Sequence, residues 1–260
     1  HRHGKVPHIY LRQKVVDVAT VTIKAQVNKK KGTESISQVT VDKSELKDNP
    51  TQSLASAIED EQGIALISSG ANVQIPLIHG LYGNRILILN NGLKHGFQNW
   101  GKDHAPEIDI SSANKITIIK GAAGVRFGPE AIGGAIIVEP NPLYLKESFY
   151  GEVRSGFQTN GRGYNSGFEI GEGKKQWSYF LSGNYTKIGD RNTPEYMLTN
   201  SGKEEFSFGS GVRYRTKKVD LKTYYSLVDQ NLSLLRASFF HSANAIRQAF
   251  AAERPDSAYI

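Results

Sequence analysis

The sequence has no cysteine and a single methionine. A disulfide framework and a thiolate metal site are therefore excluded, although the compartment stays open. Long apolar runs are also missing, and nothing approaches the ~18 residues that a membrane helix requires. The chain opens "HRHGKVPHIY", which is no secretory leader, as in a mature or trimmed secreted protein. His1, His3 and His8 in that opening read as an exposed terminal segment. Hydrophobic residues make up only 38%, low for one packed core, against 26 glycines and 12 tyrosines. That balance suits alternating strands better than buried helices.

The net charge of +7 raises the question of nucleic acid, but the basic residues do not gather on one element. Their runs are Lys29 to Lys31, Lys174–Lys175 and Lys217–Lys218, which read as solvated turns and ends. No nucleic-acid partner is expected.

What is present falls into two halves. From about Val15 to Pro142 the chain reads as a compact α/β domain. "QVTVDKSEL" predicts a short strand and a polar turn, and "NPTQSLASAIEDEQG" predicts a helix. Thr51 would cap that helix, Leu54 and Ile58 would share a face, and Gly63 would stop it. Strands are expected at Ile64–Ile67, Val73–Ile78, Arg85–Leu89, Lys115–Ile119 and Ala135–Glu139, with a tight turn at Asn91–Gly92.

Beyond Pro142 the segments lengthen and alternate strictly. Phe149, Val153 and Phe157 oppose Glu152 and Arg154; Tyr164, Phe168 and Ile170 oppose Asn165 and Glu169. Trp177, Tyr179, Leu181 and Tyr185 oppose Ser178, Ser182 and Asn184, and two similar segments follow to about Leu227. Such strands occur in sandwiches and in membrane barrels. Short connections alternate with longer ones, as in a transmembrane barrel, and Phe149, Trp177 and Tyr214 near the short turns suit an interfacial girdle.

With those elements in place, "PTQSLASAIEDEQGIALISSG", "VQIPLIHGLYGNRILILNNGLK" and "ITIIKGAAGVRFGPEAIGGAIIVEP" resemble the plug domain of TonB-dependent outer-membrane receptors. The resemblance spans roughly residues 36 to 142 and includes the glycine-rich signature from Gly121 to Val138. It departs at His79 and Lys120, where the family usually has Arg, and at Ala122, where it usually has Pro. Pairing between plug and barrel is expected to differ accordingly, with Arg126 a candidate for such a pair.

The resemblance implies an α+β plug domain followed by antiparallel transmembrane β-barrel strands, only part of a barrel of about 22 strands. It divides the chain into an N-terminal segment, residues 1–35, a plug, 36–142, and the first barrel strands, 143–260. The remaining strands are expected elsewhere, since an open greasy sheet is prone to aggregate. It further implies a receptor in the outer membrane of a Gram-negative bacterium, surrounded by outer-membrane lipid. Its cargo would be a scarce nutrient: a metal, a siderophore or a haem-like complex. TonB and its inner-membrane energising complex would pull a box near the N-terminus, which pairs as an added strand. The best match is Asp17, Val18, Ala19, Thr20, Val21 and Thr22, short, β-branched and ahead of the plug, though an ordinary edge strand would look similar.

The stretch "HGFQNWGKDHAPEID" resembles the version in members from Bacteroidetes-type bacteria. In a plug it runs over the outward apex. Phe97 and Trp100 offer flat apolar contacts, and Gln98 and Asn99 offer amide hydrogen bonds. Asp103 and His104 suit a transition metal, with a further ligand from His79, His95 or the barrel. The blander reading has Asp103 cap a turn, His104 pack on Trp100, and Glu107 and Asp109 pair with barrel arginines.

Catalytic signals are absent. "GAAGVRFGPEAIGG" lacks the phosphate-loop Lys-Ser/Thr, and neither a nucleophile elbow nor an H-E-x-x-H is found. No enzyme activity and no cofactor are expected. The alternative function is a non-transporting surface binding or interaction protein built on a β-sandwich.

Overall fold

The computed structural model describes residues 38–48, 52–96, 105–235 and 242–252. The first elements are β1 (Gln38–Asp42), the six-residue helix α1 (Lys43–Asp48), β2 (Ile64–Ser68) and β3 (Gln74–Ile78). They are followed by β4 (Ile86–Asn90), β5 (Leu93–Lys94), β6 (Ala113–Lys120) and β7 (Gly134–Pro140). Five of these strands form one sheet in the order β1-β6-β7-β4-β5, while β2 and β3 form a separate hairpin. β4 and β7 run parallel, and the other pairs are antiparallel.

β6 and β7 read "ANKITIIK" and "GAIIVEP" because both faces of the central sheet are covered. One face packs Ile116, Ile118, Ile136 and Val138 against Leu54 and Ile58. The other packs Ile119 and Ala135 against Leu87 and Ala131. Asn91 and Gly92 both have positive φ, 54° and 78°, which a tight turn between β4 and β5 requires.

Two local expectations change. Residues 52–63 form turns around a single 3-10 turn, Ser56–Ile58, in place of a full helix. Ser53 and Ser56 compete for backbone groups, and Glu59, Asp60 and Glu61 place three acids where a helix dipole is negative. Ser53 caps the turn, its Oγ accepting from the Ser56 amide at 3.1 Å; Thr51 lies outside the described residues. Leu54 and Ile58 are nonetheless buried together, and Gly63 ends the segment at φ 81°. Conversely, the expected polar turn after β1 is α1, whose Leu46 is buried.

The second half is a five-stranded antiparallel wall of β8 (Ser148–Gln158), β9 (Gly163–Gly173), β10 (Trp177–Ile188), β13 (Lys203–Arg215) and β14 (Asp220–Leu232). Its order, β8-β9-β10-β13-β14, is a plain meander. The small hairpin of β11 (Arg191–Asn192) and β12 (Met197–Leu198) sits in the long connection. Register puts Phe149, Val153, Phe157, Phe168, Leu181, Phe208, Tyr225 and Leu227 on one face. That face is open, with Val153 82% exposed, and among the described residues no second sheet covers it as a sandwich would need. The opposite face holds Asn165, Glu169, Ser178, Ser182, Asn184, Thr186 and Ser207, all buried. The wall is therefore polar inside and apolar outside, a partial barrel. Helix α2 (Ala243–Ala251) follows, capped by Ser242.

Candidate functional site

The inner face of the wall meets the first domain along a polar seam. Two turns of chain chemistry build it. Glu169 projects from β9 into the seam with 1% of its side chain exposed. A buried carboxylate needs a partner and further hydrogen bonds, or its desolvation is not repaid. Lys43, the first residue of α1, supplies the charge, its Nζ lying 3.0 and 2.9 Å from the two carboxylate oxygens. Asn141, just past β7, accepts from the same Nζ at 3.1 Å and donates its own amide to Glu169. The Tyr150 ring lies against Gly171, where a Cβ would strike it at 2.5 Å.

A second, wetter contact sits beside the first. Lys47 meets Glu152 of β8 at 2.5 Å, and Glu152 also takes Arg154 at 3.1 Å. Arg154 then donates to the Ser111 carbonyl at 3.2 Å, while Arg213 donates to the Leu143 carbonyl at 3.2 Å. An open cleft of about 350 Å³ runs along the Lys43–Glu169 pair, lined also by Tyr144, Ser148 and Glu172. At the long-connection end, Asn72 near the tip of the β2–β3 hairpin donates to the carbonyls of Ser201, Gly202 and Ser233. The hairpin tip is thereby fastened to two wall connections at once.

Of the ligand-contacting residues singled out in the sequence, His79 and His95 lie among the described residues. His79 is exposed, with φ 49°, and its amide donates to the Gly63 carbonyl at 2.9 Å. Its ring covers Gly63 so closely that a Cβ there would lie 2.7 Å from Nε2. Lys120 is buried beside it and donates to the Gln62 carbonyl at 2.8 Å, so this lysine ties down a turn. His95 is half-buried, its amide donating to the Ile88 carbonyl of β4 at 2.8 Å. Phe97, Gln98, Asn99, Trp100, Asp103 and His104 lie outside the described residues, as does the segment from Asp17 to Thr22. Among the described residues, no three His, Asp or Glu side chains converge as a metal would need.

The Asp109 carboxylate accepts from the amide and hydroxyl of Ser111, fixing the turn into β6. Arg126 lies 4.9 Å over the Phe127 ring. Sequence reasoning missed Lys43, Lys47, Asn72 and Asn141. Its one usable signal was that Glu152 and Glu169 fall on the polar face of their strands, where a buried acid demands a cation from the other side of the seam.

Comparison with known proteins accords with this geometry. Residues 28–135 match the TonB-dependent Receptor Plug Domain family. The fold is similar to the copper transporter OprC, with TM-score 0.66 at 19% identity, over 77% of this chain and 31% of that one. The siderophore receptor PirA from Acinetobacter baumannii gives TM-score 0.59 at 18% identity, over 76% and 32% of the two chains. A mutant of the ferric enterobactin receptor PfeA from Pseudomonas aeruginosa, in complex with enterobactin, gives 0.56 at 14% identity, over 76% and 34%. The chain thus spans about a third of the length of these structures. No curated protein matches it in sequence.

Proposed function

From a chain that carries a TonB-dependent receptor plug domain joined to antiparallel strands of a partial barrel, we propose an energy-coupled importer of the Gram-negative outer membrane. Its cargo is a scarce metal, a siderophore or a haem-like complex. The observation that carries this reading is the two-sided wall, with an apolar outer face and a polar inner face bonded to the plug. From Phe149 to Phe157 the outer face extends ~26 Å at about 3.3 Å per residue, matched to an apolar band of about 25 Å.

In this reading TonB and its inner-membrane complex engage Asp17 to Thr22 as an added strand and draw the plug aside. The loop from His95 through Phe97, Gln98, Asn99, Trp100, Asp103 and His104 meets the cargo, with aromatic faces and amides for a chelate and imidazole and carboxylate for a metal. The experiment is uptake and binding in the natural full-length receptor with Asp17 to Thr22 deleted. Uptake lost with binding retained supports coupled import; uptake retained rejects it. Calorimetry with zinc, copper, haem and ferric siderophores, repeated on His104→Ala, separates the cargoes. Metal binding lost in the variant assigns metal recognition to the loop. Unchanged binding shifts the cargo to a larger chelate held by the aromatics.

A further inference from the structure

Lys43 and Lys47 stand one turn apart on α1, a spacing that puts two side chains on one helix face about 5–6 Å apart. Glu169 and Glu152 are direct cross-strand partners of β9 and β8, about 4.5–5.5 Å apart on one sheet face. The two spacings match. The helix therefore docks on the wall as a two-rung charge ladder, Lys43 on Glu169 and Lys47 on Glu152.

The rungs are unequal. The inner one is buried at Glu169 and held further by Asn141, which bonds both partners. In the outer rung Lys47 and Glu152 are 39% and 32% exposed, so water screens it. A six-residue helix does not hold itself together in water. α1 is ordered by the ladder and by its buried Leu46.

Chain order gives this ladder a mechanical position. Among the described residues β1 is an edge strand paired only with β6, over the five positions Gln38 to Asp42. Lys43 follows directly, and among the described residues it is the first along the chain whose side chain bonds the wall. Tension entering from the N-terminal side meets β1, then α1, and only afterwards the rest of the plug.

We infer that α1 is a latch: β1 strips from the sheet first, and the Lys43–Glu169 rung holds the plug on the wall until a second, larger pull breaks it. This rests on the coupled-import reading only in that force arrives from the N-terminal side. Two stages let slack in the N-terminal segment be taken up without opening the plug. The outer rung orients the helix, and the inner rung sets the release threshold.

The test is force spectroscopy on the natural full-length protein in a lipid bilayer, pulled through an N-terminal handle without TonB. The native protein should show an early rupture for β1 and a later, stronger one for α1. Lys43→Met and Glu169→Gln should each lower the second rupture, and the double variant should be no worse than the singles. Lys47→Met should leave it nearly unchanged, and Lys43→Arg should retain it. Hydrogen exchange on the same proteins reports whether the variants still fold: β6 and β7 stay protected, while α1 opens roughly 100-fold more readily in Lys43→Met. In Lys47→Met that change stays below about fivefold. A single rupture in the native protein, or equal behaviour of the two lysine variants, overturns the latch. Failure of the import reading shows elsewhere, as uptake that survives deletion of Asp17 to Thr22.

Discussion

Asn72 gives one side-chain amide to three carbonyls, those of Ser201 at 3.0 Å, Gly202 at 2.7 Å and Ser233 at 3.2 Å. The group has two hydrogens, so the bonds are shared, and the site demands a donor. Asn72→Ala leaves three acceptors facing a void and should loosen the hairpin by about 1–3 kcal/mol. Asn72→Asp turns a buried anion on the same carbonyls and should cost more, because like partial charges then repel without solvent. Hydrogen exchange of the β2–β3 amides measures this; equal protection in the Asp variant and the native protein would refute it. Gly134 is a second exacting position, at φ 144° with its missing Cβ directed at the Ile119 carbonyl. Gly134→Ala should destabilise the plug by more than about 2 kcal/mol in denaturant titration, since strain and overlap add.

At the scale of elements, local sequence and tertiary setting disagree most in the short helical pieces. Ser53 both caps the 3-10 turn and donates to Gln74 at 2.6 Å on the neighbouring hairpin. Ser53→Ala should therefore cost about 1 kcal/mol or more of plug stability, the usual value of a lost cap plus a bond. A calorimetric melt unchanged by the substitution would show that the turn needs no cap. The strands were far more legible, because a period of two over 11 to 13 residues is a signal that helices cannot imitate. Their outer face carries its own prediction. Val153 lies midway between Phe149 and Phe157, so Val153→Arg should cost about 2–4 kcal/mol of folding stability in bilayers. Reversible folding into lipid vesicles measures it. An arginine tolerated there without cost would mean that this face does not meet lipid.

For the whole molecule, the wall has two outer strands, β8 and β14, each paired on one side only among the described residues. Unpaired strand edges and an open apolar face are a template for association. The 260-residue chain expressed alone should therefore associate in aqueous buffer and disperse in detergent, as light scattering would show. A stable monomer without detergent would remove the reason to place its outer face in a membrane.

The amino-acid sequence by itself determined the two halves, the strands of the wall and which face of each is apolar. Alternation is written residue by residue and needs no knowledge of neighbours. It also carried the glycine-rich signature from Gly121 to Val138, since turns at positive φ must be declared locally. The seam was decided by tertiary structure alone. Lys43 and Glu169 are 126 residues apart, and Asn72 and Ser233 are 161 apart. No local pattern distinguishes a lysine that will meet a buried carboxylate from one that will meet water. That choice is made when packing removes the solvent, and the cost of an unpaired charge then selects the partner.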